Sequence, residues 1–324
     1  MLGRYLLVWL SLLCFIALKW PDWVAGFDPF AATKAYLGWM ISATMFAIGC
    51  LLPRDEILEV LRRWPTVMGG TAVQYISMPF YAWSVGRLAG LPEDWMLGVI
   101  LVGSVPGAMA SNVLTLAARG NVSYSVSLTT TATLLSPVVV PMVLFLTLKQ
   151  TNVDAAGIAT QAFQNLLLQV FLPVVLGHLL ARSLPMIEKW ISRLAPVIAN
   201  LVILWIIAVV VNANHKTLSE ILNGSGLNLV GVLLAINVLG YAAGWAGGRL
   251  MNLPEGHRRA LILEIGMQNA GLGTTLATQL FPSLPKVALP AALYTFGCML
   301  TGTILAHYWS RREVQSTPTS EETP

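Results

Sequence analysis

One acidic residue, Glu264, lies in the middle of a long apolar segment of this 324-residue chain, whereas the other fourteen acidic residues fall in loops, at segment ends or in the C-terminal tail. A charge at the centre of a membrane helix costs about 3 kcal/mol on insertion scales, so such residues usually mark an ion or proton pathway. A hydrogen-bonded or protonated carboxyl group that holds helices together is the structural alternative. The oxygen-bearing side chains found in neighbouring segments favour a cation.

Neutral oxygen donors accompany Glu264 on several segments. Ser125, Thr129 and Thr133 are spaced i, i+4 and i+8, so their hydroxyl groups share one helix face, although such hydroxyls also bond back to their own helix. The other donors are Gln74, Ser111, Asn112, Gln268 and Asn269. Hard cations prefer such oxygen ligands, and the four His and three Cys residues are too scattered to suggest a transition metal. The set predicts a site for a hard cation.

The composition indicates an all-α, polytopic membrane protein. Hydrophobic residues make up 56% of the chain, charged residues 10%, and the mean hydropathy is +0.70, whereas a soluble domain carries about a quarter charged residues. A bilayer core needs about 20 apolar residues per helix. Ten such runs occur, near residues 5–20, 36–53, 65–89, 95–118, 121–147, 156–181, 194–211, 227–248, 257–280 and 287–309.

The polar stretch from Lys149 to Ala155 divides these runs into five and five. An odd number of spans per half makes the second half enter the membrane in the opposite sense, which is the plan of an inverted repeat. We therefore predict a first five-helix repeat over 1–148, an inverted second repeat over 156–310, and a disordered cytoplasmic tail over 313–324, which is rich in Ser, Thr, Pro and Glu.

Runs four and nine are the polar, glycine-rich parts of their halves. Run four contains Gly103-Ser-Val-Pro-Gly-Ala-Met-Ala-Ser-Asn112, and run nine contains Glu264-Ile-Gly-Met-Gln-Asn-Ala-Gly-Leu-Gly273. Pro106 removes a backbone donor, and the glycines weaken the helix further. We predict that helices four and nine are broken and cross near the middle of the membrane, where broken backbone survives only against protein or a wet cavity. An ordinary proline kink is the alternative for run four alone.

Charge placement predicts the orientation. With both termini in the cytoplasm, ten spans put thirteen of the nineteen Lys and Arg residues on the cytoplasmic side, as the positive-inside rule expects. We predict a multi-pass protein of the cell inner membrane, with the lipid bilayer as a partner. No basic patch interleaved with aromatic residues predicts a nucleic-acid partner, and no obligate protein partner is evident.

Sequence motifs for catalysis are missing. The chain has no P-loop, no GxGxxG after a strand, no HExxH spacing and no Ser/His/Asp set that one site could hold. An intramembrane enzyme, for instance a lipid-modifying one, would need a nucleophile or a metal set near the membrane surface. We therefore predict that the chain is not an enzyme.

The two polar stretches resemble the bile acid:sodium symporter family, which includes bacterial homologues of the ileal bile acid transporter. The resemblance rests on the stretch from Pro106 to Val113, its continuation through Ala118-Arg-Gly-Asn-Val122 to Ser125, and the stretch from Glu264 to Leu272. Gln74 followed by Met78-Pro79 also fits. The resemblance implies ten helices, a mobile panel domain (helices 1, 2, 6 and 7) and a core domain (helices 3–5 and 8–10).

The resemblance also implies two sodium sites. The first would use Ser111, Asn112, Ser125, Thr129 and Glu264. The second would use Gln74, Glu264 and Gln268 with backbone oxygens around Ile265 and Met267. Substrate would lie against Asn269, Met109 and Ala110.

Two departures from the family pattern make the expected cavity less polar. Ala108-Met109 replaces a Gly-Thr pair, and Gly297-Cys298-Met299 replaces a Trp-His-Asn stretch of several bacterial members. The function expected is sodium-coupled symport by alternating access of an organic anion, either bile-acid-like or a small acid such as pantoate. A proton-coupled or uncoupled organic-anion exporter on the same scaffold is the nearest alternative.

Overall fold

The computed structural model describes residues 6–24, 26–53, 56–149, 153–183, 185–221 and 226–312. These residues form helices joined by short turns, and they contain no β-strand. The predicted tail, 313–324, lies outside the described residues, as do Arg4 and Arg54 among the charges that predict orientation. The helices are α1 (Leu6–Trp23), α2 (Pro29–Thr33), α3 (Leu37–Leu51), α4 (Glu56–Arg62), α5 (Trp64–Leu88), α6 (Glu93–Ser104), α7 (Ala110–Ala117), α8 (Val122–Leu148), α9 (Ala155–Leu166), α10 (Leu172–Ser183), α11 (Pro185–Ala213), α12 (His215–Glu220), α13 (Leu227–Leu250), α14 (Glu255–Gly266), α15 (Ala270–Leu280) and α16 (Leu289–Ser310).

Six helical segments of the described part are long and apolar enough to cross a membrane. They are Pro29–Leu51, Val122–Leu148, Ala155–Ser183, Arg193–Ala213, Leu227–Leu250 and Pro285–Ser310. The third of these joins α9 to α10 through a π-helical turn, Leu167–Phe171. The all-helical, polytopic part of the fold prediction is therefore confirmed, whereas ten spans and an inverted repeat stay predictions.

Helices α3, α10, α11 and α1 pack side by side, with α3 against both α10 and α11 and α1 against α11. Two glycines bring α3 and α10 into backbone contact. A Cβ added at Gly49 would collide with the Val174 carbonyl, and one added at Gly177 would collide with the Phe46 carbonyl. Small residues allow membrane helices to approach in this way, because lipid gives little drive for association beyond close packing.

The remaining long helices surround the two interrupted ones. Helix α5 packs against α6, α8 and α13, while α13 packs against α14 and α16. Apolar run 95–118 is divided into α6 and α7, and run 257–280 into α14 and α15. The prediction that both runs are broken is confirmed, with Pro106 inside the first break as the sequence suggests.

The two breaks pair with each other. The Ala108 N–H donates to the Met267 carbonyl at 2.7 Å, and the Asn269 N–H donates to the Pro106 carbonyl at 2.8 Å. These bonds form an antiparallel β-bridge between Gly107 and Gln268. Backbone polar groups in an apolar region must be bonded within the protein, and here each break supplies the other's partners.

A second set of contacts joins the ends of α7 and α14 that are remote from the breaks. Arg259, 2% exposed on α14, forms an ion pair with Glu255. Its Nη1 also donates to the carbonyl of Ala118, at the end of α7, at 2.8 Å, and to those of Trp309 and Arg312, at the end of α16, at 3.4 Å. A cation at two helix C-termini complements both helix dipoles. Arg259 therefore ties α14, α7 and α16 together.

We expect the substitution Arg259→Gln to lower the free energy of unfolding by about 3 kcal/mol, because breaking a buried charged network leaves polar groups unpaired. The matched control is Arg258→Gln, since Arg258 is its half-buried neighbour on the same helix. The Tm of the purified, detergent-solubilised variants measures the difference. Equal Tm values for the two variants would contradict this role for Arg259.

Candidate functional site

Glu264 lies on α14, two residues before the break, and its side chain is 0% exposed. Its Oε2 accepts hydrogen bonds from Ser111 Oγ on α7 at 2.5 Å and from Thr129 Oγ1 on α8 at 2.8 Å. Its Oε1 has no hydrogen-bond partner among the described residues. No salt bridge reaches Glu264 within that part of the chain. A buried carboxylate without a counter-charge is suited to binding a cation.

Asn112, on α7, extends this set of oxygens toward α8. Its Oδ1 accepts from Ser125 Oγ at 2.7 Å and from Thr129 Oγ1 at 3.3 Å. Thr115, which the sequence analysis did not single out, lies 3.3 Å from the Ser125 hydroxyl. The five residues predicted for the first sodium site thus form one continuous hydrogen-bonded chain on α7, α8 and α14. Thr129 also bonds back to the Ser125 carbonyl of its own helix at 3.0 Å. The same hydroxyl group therefore bonds both to its own helix and to Glu264.

The residues predicted for the second sodium site lie at the break between α14 and α15 and on the neighbouring helix α5. Gln268 donates to the Ile265 carbonyl at 2.8 Å, and Gln74 Nε2 approaches Gln268 Oε1 at 3.5 Å. All three residues are buried. The Met267 carbonyl, also predicted as a ligand, is engaged by the Ala108 N–H instead. The carbonyls of this second set therefore bond to protein donors in the conformation described.

The free carboxylate oxygen of Glu264 lies against Gly107, in the break between α6 and α7. A Cβ added at Gly107 would collide with Glu264 Oε1, and Gly107 is the bridge partner of Gln268. One oxygen of Glu264 thus faces the Ser111 and Thr129 hydroxyls, and the other faces Gly107. The carboxylate therefore lies between the hydroxyl groups predicted for the first site and the backbone bridge that carries Gln268.

Four polar side chains missed by the sequence analysis support the break. The Gly266 carbonyl, the last of α14, accepts from Asn237 Nδ2 and from the Tyr294 hydroxyl, each at 2.8 Å. Thr301 donates to Asn237 Oδ1 at 2.7 Å and lies 3.0 Å from the Tyr241 hydroxyl. A polar Asn inside the apolar run 227–248 is a signal that could have identified Asn237.

A cavity of about 150 Å³ lies beside the break, with α7, α15 and α16 on one side and α1, α3 and α11 on the other. The three residues predicted to touch substrate, Met109, Ala110 and Asn269, all line it. Asn269 Oδ1 caps α15 by accepting from the Leu272 N–H at 3.1 Å, which leaves Nδ2 as its donor for a ligand. The first turns of α7 and α15 both begin at this cavity, and helix N-termini favour anions.

Comparisons with known proteins show chains that are similar to this one. Residues 39–221 match the family model described as the Sodium Bile acid symporter family. The chain is 32% identical over 311 residues to the uncharacterized sodium-dependent transporter YocS of Bacillus subtilis, covering 96% of this chain and 92% of the relative. It is 31% identical to the probable chloroplastic sodium/metabolite cotransporter BASS1 of Arabidopsis thaliana, covering 94% and 73%. It is 30% identical to the probable chloroplastic cotransporter BASS2 of Oryza sativa subsp. japonica, covering 94% and 70%.

We expect the substitution Gly107→Ala to abolish any sodium-dependent rise in Tm, because the added methyl group would collide with the carboxylate that Ser111 and Thr129 hold in place. Gly231→Ala is the matched control, since a Cβ there meets nothing within 4 Å. Thermal unfolding of both purified variants, in sodium and in potassium buffers, checks the expectation. An undiminished sodium effect in Gly107→Ala would show that no cation binds at this carboxylate.

Proposed function

Because this chain belongs to the Sodium Bile acid symporter family, we propose that it is a sodium-coupled symporter of an organic anion. It is a multi-pass membrane protein of a sodium-dependent transporter family, not an enzyme. The observation that carries the proposal is the buried Glu264 carboxylate, which receives two hydroxyl groups on one oxygen and has the other oxygen unpaired among the described residues.

The sodium ions are co-substrates held by oxygen donors. In the first site, Ser111, Asn112, Ser125, Thr129 and Glu264 bind one ion through oxygens that bond to each other in the conformation described. In the second, Gln74, Gln268 and Glu264 bind another ion, and the Gln268 side chain must release the Ile265 carbonyl to let it coordinate. Side-chain and carbonyl oxygens are the donors that such hard cations select.

Charge balance supports coupling to an anion. Two sodium ions beside one carboxylate leave an excess positive charge, which a substrate anion neutralises at short range in a medium of low dielectric constant. The anion binds to Asn269 and to the N-termini of α7 and α15, beside Met109 and Ala110. Each ligand thereby favours binding of the other. Of the two cargo classes, a bile-acid-like anion and a small acid such as pantoate, we prefer the small acid.

We further propose ten spans in two inverted repeats. The six long apolar segments are joined by α1, by α5, and by the two broken pairs α6–α7 and α14–α15. Helices α1, α3, α9–α10 and α11 form the panel domain of this scheme, and the others form the core. The panel rocks against the core in alternating access, and both termini lie on the cytoplasmic side of the inner membrane.

We expect Glu264→Ala and Glu264→Gln to abolish sodium-dependent uptake of the substrate anion in proteoliposomes, because each removes the charge that both sodium sites share. Glu93→Gln, at an exposed residue in the first turn of α6, should transport like the unsubstituted protein. Folding is checked by a monodisperse elution and an unchanged Tm in potassium buffer. Undiminished sodium-driven uptake in folded Glu264→Gln refutes the mechanism, and uptake driven by a pH gradient without sodium establishes the proton-coupled alternative.

A second expectation concerns binding without transport. Sodium should raise the Tm of the detergent-solubilised protein more than potassium does, and a transported anion should enlarge that rise. A ligand that binds only the folded state stabilises it by about 2.7 kcal/mol at a hundred times its Kd. Equal Tm values in sodium and potassium with every anion in a screen would contradict coupling.

A further inference from the structure

The two walls of the cavity differ in chemistry. The core wall carries polar groups, namely Gln268, Asn269, Thr295 and the first turns of α7 and α15. The facing wall is formed by α1, α3 and α11, and its described residues are apolar except for Asn200. None of the described residues that line the cavity is charged. An anion of this cavity is therefore recognised at the core wall, and the rest of the molecule contacts an apolar surface.

Asn200 belongs to the stripe of α11 that faces the cavity. The lining residues Pro196, Asn200, Ile203, Leu204 and Ile207 recur at helical spacing. Ile203 fixes the level of this stripe relative to the core, because a Cβ built on Gly271 would lie 3.5 Å from the Ile203 side chain and 3.7 Å from Asn269 Oδ1. Asn200 precedes Ile203 by three residues, so it lies about 4.5 Å from Ile203 along the helix axis, toward the N-terminus of α11.

A carboxamide at this place has a cost that packing does not explain. Asn200 lies in the segment Arg193–Ala213, whose mean hydropathy of 2.8 is the highest of the six long segments. It is half-buried, and it forms no hydrogen bond with the described part of the chain. In contrast, Asn212, near the end of the same helix, bonds to the Ala17 carbonyl, and Asn214, just after that helix, bonds to the Val210 carbonyl. Polar residues inside membrane segments tend to line substrate pathways when no structural partner uses them.

We infer that Asn200 is a specificity-determining residue that binds a second polar group of the substrate, and that the cargo is a monocarboxylate bearing a hydroxyl or carbonyl group remote from the carboxylate. The inference rests on the proposed function and narrows its substrate class. An Asn amide can both donate and accept, so it pairs with either group. The rise of about 4.5 Å along α11 between Ile203 and Asn200 separates the second polar group from the carboxylate end of the substrate. The intervening carbon chain contacts the apolar residues of α11 and the methionines of the core wall.

The test uses pairs of monocarboxylates of equal chain length, one member of each pair carrying a terminal hydroxyl group. Sodium-driven uptake into proteoliposomes is measured for the unsubstituted protein and for Asn200→Leu, which keeps the side-chain size and removes the amide. We expect the unsubstituted protein to prefer the hydroxy acid, and the variant to lose about tenfold of that preference, because an unpaired hydroxyl group in an apolar site is penalised. The readout is the ratio of the two uptakes, because a change in the apolar wall alone alters both acids alike. Asn228→Leu, at an exposed residue of α13 that bonds to the Ala89 carbonyl, is the matched control.

The outcomes separate this inference from the transport proposal. If Asn200→Leu lowers uptake of both acids equally, or leaves their ratio unchanged, Asn200 only lines the route and the inference is wrong, while sodium-driven symport stands. If the unsubstituted protein takes up other anions with sodium but neither member of any pair, the substrate class is wrong. If no anion is taken up with sodium and sodium does not raise the Tm, the proposed function itself fails. The sodium-dependent rise in Tm of Asn200→Leu should match that of the unsubstituted protein, which shows that the variant folds.

Discussion

The structure depends on one constraint, which is that an unwound backbone and a carboxylate share an apolar interior. Backbone groups released by one broken helix have no water to bond to, so the Pro106 and Met267 carbonyls accept from N–H groups of the opposite break. The last carbonyl of α14 is taken up by Asn237 and Tyr294. This satisfied backbone fixes the position of Glu264, whose charge has hydroxyl groups as its partners.

In the proposed mechanism, ion binding and anion binding are coupled through very few bonds. Ser111, which bonds to Glu264, stands in the first turn of α7, and the same turn begins at the cavity. A cation that displaces the hydroxyl groups from Glu264 therefore acts on the helix end that faces an anion. On the far side, Arg259 holds the other end of α7 to α14. The half-helix is thus restrained at both ends, and a change at Glu264 is passed to the cavity over one turn of helix.

The sequence predicted those features that arise from local chemistry. Apolar runs set the helices, Pro106 and its glycines set the first break, and a lone carboxylate among neutral oxygens set the centre of the site. The sequence did not predict features that depend on contacts between distant segments. The bridge between Gly107 and Gln268 follows from pairing of two breaks rather than from either motif. Arg259 contributes to the sequence prediction only through its charge, because most of its partners are backbone carbonyls, which no residue type reveals. Asn200 and Asn237 belong to no motif in their apolar runs, so the sequence does not show what they contact.

The glycine contacts between α3 and α10 have a mechanical consequence. At Gly49 and Gly177 the two helices touch through main-chain atoms, and main-chain atoms have no rotamers through which an interface could slip or repack. Any displacement of α3 must therefore carry α10 with it, so the two helices move as one rigid body. Bending of this pair is confined to places where the helix is already irregular, of which the π-helical turn at Leu167–Phe171 is the nearest along the chain.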